Sequence, residues 1–187
     1  QLRYVYSNRL SLGKFRTEEN VMWSFAPHDF SMLLAMVGEA PDAVTAEGAA
    51  WITPGIADWC TAHLQFPGGV RGHVQTSWSH PFKEARLVAV GDEGMLVFED
   101  SAPEWDRKLA IYRHGIDRSG PAPAPIKADP EYIAVEQGEP LRSECQHFID
   151  CIEQGTQPLT DVAEGLRVLE VLDRAEAALQ ASLGENK

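Results

Sequence analysis

No apolar run in this 187-residue chain approaches the roughly 18–20 residues needed to cross a bilayer. The opening residues, Gln1-Leu2-Arg3-Tyr4-Val5-Tyr6, lack the apolar core of a secretion leader. Positive charge is scarce too. Sixteen basic residues stand against 28 acidic ones, a formal charge of −12, so no clustered basic surface is on offer to nucleic acid or to anionic lipid. Nucleic-acid and membrane partners are therefore excluded, and a cytoplasmic protein is expected. Cysteine is sparse: Cys60, Cys145 and Cys151 make neither an even disulfide framework nor a C-x-x-C pair, so reduced thiols are expected.

A dinucleotide fingerprint is missing as well. Gly68-Gly69-Val70-Arg71-Gly72 is the only glycine-rich spot, and it does not lie between a strand and a helix. The chain also leaves little room for a βαβ cofactor half plus a second domain, so no cofactor-binding residue is assigned. No metal set is found either: His63 and His73 form a cross-strand pair without a third ligand at a useful spacing. No serine or cysteine stands with a base and an orienting carboxylate.

What is present is the composition of an ordinary globular domain, 44% hydrophobic and 24% charged, expected as one domain over residues 1–187. A β-prone opening, Leu2 to Ser7, precedes a turn-rich stretch and then a helix. Ser24 is expected to cap it, with Pro27 in its first turn and Gly38 as its stop. At 100° per residue Phe30, Leu33, Leu34 and Val37 share one face, and Ser24, His28, Ser31 and Ala35 lie nearly opposite.

Beyond Val44 the pattern alternates. Asp58 to Phe66 and Val70 to Trp78 read as a hairpin around Pro67-Gly68-Gly69, pairing Phe66 with Val70, Leu64 with Gly72 and Ala62 with Val74. The same register sets His63 opposite His73 on a polar face. Further strands are expected at Arg86 to Val90, Met95 to Glu99 and Leu109 to Arg113, and Ser101 to Pro140 reads as otherwise irregular. Two amphipathic helices follow. Leu141, Cys145, Phe148, Ile149 and Ile152 mark one apolar face, with Cys145 expected to be buried on it; Leu166, Leu169, Leu172, Ala175 and Leu179 mark the next. Asp161 and Glu164 fit a capping box, and the only tail is Gly184 to Lys187.

His28 is the leading candidate for chemistry, because imidazole exchanges protons near neutral pH and small neighbours leave space beside it. Asp29 reads as a first-turn carboxylate favoured by the helix dipole. Arg3, Arg9, Lys14 and Arg16 all precede the first acidic residue, Glu18, which suggests a local anion site. The alternative is that they solvate an edge strand. Trp78 to Lys83 brings aromatic surface and positive charge together, a rim for a sugar nucleotide or simply a packed tryptophan.

The segments ENVMWSFAPHD (19–29), GDEGMLVFED (91–100), EPLRSECQHFI (139–149) and TDVAEGLRVL (160–169) resemble, in order, the C-terminal domain of the Gfo/Idh/MocA oxidoreductases. The likeness covers almost the whole chain. Through Trp78 to Glu84 it is similar to the branch that oxidises UDP-linked N-acetylglucosamine, or its uronic acid, at the sugar 3-position for surface-polysaccharide synthesis. The resemblance implies an α+β fold, an open and mostly antiparallel sheet with helices on one face and the other face free for homo-oligomer contacts. It also implies NAD or NADP, held mainly by an N-terminal Rossmann domain that this chain lacks and that supplies a lysine from an E-K-P motif.

The family pattern D-x-G-x-H-x-x-D maps onto Ser24, Ala26, His28 and Ser31, keeping only the histidine. His28 is then expected to move or orient the proton of a sugar hydroxyl as hydride leaves the same carbon, with the missing lysine as main base. Candidate substrate contacts are Arg9, Arg16, Asn20, Trp23, His80 and Lys83, of which Arg9, Arg16 and Lys83 would meet anions. On this reading the chain is the substrate half of a dehydrogenase, inactive alone. The competing reading is a non-catalytic sheet module for dimerisation or for sensing a sugar nucleotide.

Overall fold

The computed structural model describes residues 1–185. Nine residues of alternating character form β1 (Leu2–Leu10), longer than the expected opening strand and central in the sheet. A turn-rich stretch leads to α1 (Val21–Val37), followed by β2 (Ala43–Ala49), β3 (Trp59–Gln65), β4 (Arg71–Ser77), β5 (Glu84–Gly91), β6 (Met95–Glu99) and β7 (Leu109–Tyr112). Three short strands, β8 (Gly115–Asp117), β9 (Ala124–Ile126) and β10 (Pro130–Ile133), precede α2 (Pro140–Gln154) and α3 (Val162–Glu185). Eight strands make one sheet in the order β10-β7-β6-β5-β1-β4-β3-β2, and β8 pairs with β9 in a separate ribbon. Within the large sheet only β1 and β4 run parallel. This is the expected α+β architecture.

The β3–β4 hairpin has the expected register, with Phe66 N–H on the Val70 carbonyl and Leu64, Ala62 and His63 opposite Gly72, Val74 and His73. Gly68 and Gly69 take positive φ at its turn, a conformation that suits residues without a Cβ. Period-2 alternation then sorts the faces. Val5, Leu64, Val74 and Leu87 point to a core shared with Phe30 and Leu33 of α1 and with Leu172, Ala175 and Leu179 of α3. Both helices lie on that one face.

Several expectations are corrected. Asn20, not Ser24, caps α1: its side-chain oxygen accepts from the Met22 and Trp23 amides, so Pro27 falls inside the helix rather than in its first turn. Asp29, expected in the first turn, sits in the third. The segment 101–140 is less irregular than expected, because β8 and β9 are too short for periodicity to reveal and Pro130 sits at the start of an edge strand, where its missing N–H costs little. Cys145 is exposed, since among the described residues nothing covers the apolar side of α2: Leu141, Phe148, Ile149 and Ile152 are all exposed.

Asp161 caps α3 by accepting from the Glu164 amide, while the Glu164 carboxylate turns to the Ser31 hydroxyl instead of closing the box. Gly184 and Glu185 continue α3, and the rest of the expected tail lies outside the described residues. Among the described residues no helix is long and apolar enough to cross a membrane.

Candidate active site

The end of β1 and the start of β5 lie side by side, Leu10 opposite Glu84 and Arg9 opposite Ala85, and α1 packs against β1. Between these elements is a cavity of about 360 Å³, lined by Arg9, Ser11, Ser24, His28, Lys83 and Glu84 among others. Three of the expected site residues, His28, Arg9 and Lys83, thus meet in one place. They come from three separate segments of the chain.

His28 is exposed and has no hydrogen-bond partner among the described residues, so its ring is free to meet a ligand. Ser24, one turn earlier on α1, keeps a buried hydroxyl oxygen without a partner on the same cavity wall. Lys83 is exposed and belongs to no ion pair among the described residues. Glu84 accepts from Asn8 Nδ2 at 2.9 Å and lies 3.6 Å from Arg86. Arg9 is already engaged, its Nε 2.7 Å from Oδ2 of the buried Asp29.

The other expected contacts lie elsewhere. Asn20 and Trp23 line a second hollow of about 420 Å³ and both donate to Oε2 of Glu176 on α3, at 2.8 and 3.1 Å. Gln180 Nε2 donates to the other oxygen of Glu176 at 2.7 Å. Arg16 pairs with Glu19 at 2.8 Å on the surface. His80 stacks edge-on against Phe82, with Nδ1 3.0 Å from the Phe82 carbonyl, and lines neither cavity. Trp78 is buried core, edge-on to Phe15.

Asp29 and Glu84 were not singled out by motif. Asp29 had a signal nonetheless: Met22, Ala26, Asp29 and Leu33 follow the spacing of the buried face, and a carboxylate on such a stripe must find donors. Glu84 offers no comparable cue.

Among the described residues no group of three or more His, Cys, Asp or Glu is arranged to hold a metal. A nicotinamide dinucleotide does not fit these residues either. Gly68 and Gly69 form a hairpin turn, and a Cβ on Gly72 would meet Leu33, Leu64 and Phe66 of the packed core rather than open space beside a helix start.

Comparisons with known proteins agree with this reading of the fold. The chain is 25% identical over 152 residues to a trans-1,2-dihydrobenzene-1,2-diol dehydrogenase of Sus scrofa, covering 80% of this chain and 43% of the relative. Its fold matches UDP-N-acetylglucosamine 3-dehydrogenase GnnA from Acidithiobacillus ferrooxidans with a TM-score of 0.81 at 22% identity, over 97% of this chain and 55% of that one. It also matches a levoglucosan dehydrogenase, solved in complex with NADH and L-sorbose, with a TM-score of 0.71 at 17% identity, over 97% of this chain and 58% of that one. The chain thus spans about half the length of these proteins. The family model described as the GFO/IDH/MocA C-terminal domain matches residues 6–97, about half of the chain, and this part belongs to the Gfo/Idh/MocA family as its C-terminal domain.

Proposed function

We propose that residues 1–187 act as one substrate-binding and oligomerisation domain of an NAD(P)-dependent oxidoreductase for a sugar or nucleotide sugar, a UDP-linked N-acetyl sugar oxidised at its 3-position. The observation that carries this reading is the cavity in which the free ring of His28 stands with the unpaired Lys83 cation and the Arg9 guanidinium. A ring nitrogen of His28 takes or orients the proton of the reacting hydroxyl, and Lys83 draws the phosphates. Ser24 offers its unpartnered hydroxyl to the same ligand. The hydride acceptor belongs to another part of the enzyme.

The apolar side of α2 supports a covering partner half, because Leu141, Phe148, Ile149 and Ile152, joined by Leu166 and Leu169 of α3, stand in water. The sheet face away from α1 and α3 presents Tyr4, His63, Gln65 and Arg71, a surface for a second copy. Three free thiols accord with a cytoplasmic location.

Two experiments test this. UDP-N-acetylglucosamine titrated into the 187-residue chain is expected to release or absorb heat and to shift the His28 resonances. Turnover with NAD or NADP is expected only when a Rossmann half is supplied, and His28→Ala in that assembly is expected to lower kcat about 100-fold or more. Turnover by the chain alone overturns the two-half account; unchanged turnover in H28A removes His28 from the chemistry.

A further inference from the structure

Asp29 is 1% exposed, and three donors converge on its carboxylate. Ser7 Oγ donates to Oδ1 at 2.6 Å, Arg9 Nε donates to Oδ2 at 2.7 Å, and Arg9 Nη2 donates to Oδ1 at 3.2 Å. The guanidinium is therefore gripped along one edge by a bidentate pair, a geometry that lysine cannot reproduce. A guanidinium has five N–H groups, and Asp29 occupies one on Nε and one on Nη2. The remaining donors meet no protein acceptor among the described residues, and Arg9 lines the cavity beside His28.

We infer that Asp29 is a positioning residue that fixes Arg9 as a fork for a neutral substrate oxygen, a hydroxyl or amide carbonyl, and that the anionic end of the substrate is left to Lys83. This rests on the reading of the His28 cavity as the substrate site. The reason is charge. Arg9 and Asp29 together carry no net charge, and an anion brought to the outer edge of Arg9 meets the field of the Asp29 carboxylate behind it. A neutral hydroxyl meets only well-aimed N–H dipoles, whose direction is set before the ligand arrives. Lys83 has no such compensation, because it joins no ion pair among the described residues. The cavity thus divides its cations by task, with the neutral sugar placed at Arg9 and His28 and the phosphates placed at Lys83. Arg9, expected from sequence to meet an anion, takes the opposite role.

The test uses two probes, UDP-N-acetylglucosamine and inorganic phosphate, with calorimetry and amide NMR on the whole chain. R9Q, R9K and D29N are each expected to weaken the sugar nucleotide about tenfold, and for R9K, which alone keeps the charge balance of the pair, added salt does not change the loss. K83Q is expected to weaken it in a way that shrinks as salt rises. Because Asp29 acts through Arg9, R9Q/D29N should bind no more weakly than R9Q, and removing both charges together spares the fold an unpaired buried ion. R9K keeps the charge and loses the fork, so its thermal midpoint should stay near wild type while its affinity falls. In the phosphate arm, D29N frees the Arg9 charge and should bind phosphate at least several-fold more tightly than wild type, a gain that R9Q/D29N abolishes. D29N with wild-type phosphate affinity overturns the compensation argument. Wild-type sugar-nucleotide affinity in R9Q and R9K, with K83Q weakened, overturns the role of Arg9 and leaves the cavity reading standing. No binding to the wild-type chain overturns the cavity reading and the sugar assignment with it, while the phosphate arm still decides whether Asp29 neutralises Arg9.

Discussion

His63 and His73 face each other on one rung of the β3–β4 ladder, their rings edge-on with centroids 4.7 Å apart. Thr61 places its hydroxyl 3.1 Å from Nε2 of His73. Burial, and after it the charge of His63, holds His73 below its ordinary pKa of 6.5. The unfolded chain therefore takes up this proton before the folded one does. The contribution to stability is fully present above about 6.5 and is lost as pH falls from there through the lower folded-state value. Thermal unfolding is expected to show a lower midpoint near pH 5 than near pH 8, and His73→Gln should narrow the gap. An undiminished gap in H73Q would place the acid sensitivity on other groups.

Such a pair was legible because strand alternation and the Pro67-Gly68-Gly69 turn together fix the register, and a register names every cross-strand neighbour. Contacts between distant segments were not. Two good capping residues, Asn20 and Ser24, compete for the start of α1, and the winner also holds Glu176, 156 residues further on, which no local pattern reports. Asp29 could be placed on the buried face by its spacing, but its partners Arg9 and Ser7 lie on a strand that only the sheet order brings beneath it. The apolar stripe of α2 was equally plain, yet a stripe says only that a face wants covering. In the same way the sequence supplied His28, Arg9 and Lys83, and only the packing of α1 against β1 on one side and α3 on the other separated them from Asn20 and Trp23.

Asn20 does two jobs, and two substitutions separate them. Asn20→Ala removes the acceptor for the Met22 and Trp23 amides and is expected to cost about 1–2 kcal/mol in urea unfolding. Asn20→Asp keeps that acceptor and would ordinarily be harmless. Here it replaces the Nδ2 donor 2.8 Å from Glu176 with a second carboxylate, so N20D should be less stable than N20S, which caps without charge. Equal stability of the two would show that the Glu176 contact contributes nothing.

The three thiols differ enough to report on α2. Burial, with Glu176 and Glu47 adding to it, pushes Cys60 up to about 12, and Cys151 is buried, whereas Cys145 is exposed. Iodoacetamide at about pH 8 should modify Cys145 alone in the native chain and all three thiols after denaturation. If a Rossmann half covers the apolar side of α2, its addition should slow the modification of Cys145. An unchanged rate would place that half elsewhere.

At Gly48 α3 lies close against the sheet. A Cβ there would lie 2.5 Å from Cδ1 of Leu179 and 2.7 Å from the Trp59 carbonyl oxygen. The leucine end can swing away, but the carbonyl belongs to the β3 backbone, whose residue Cys60 is paired with Gly48, so relief requires the strand itself to move. Gly48→Ala is therefore expected to destabilise by roughly 1–3 kcal/mol although alanine suits a strand no worse than glycine. Leu179→Ala, at a fully buried position, should cost about 2–5 kcal/mol alone. Combined, the two changes should cost less than their sum, because the shortened side chain removes one of the two clashes, but more than L179A alone, because the backbone clash remains. Full additivity in chemical unfolding would show that α3 does not bear on this glycine, and a double variant no weaker than L179A would show that the leucine was the whole obstacle.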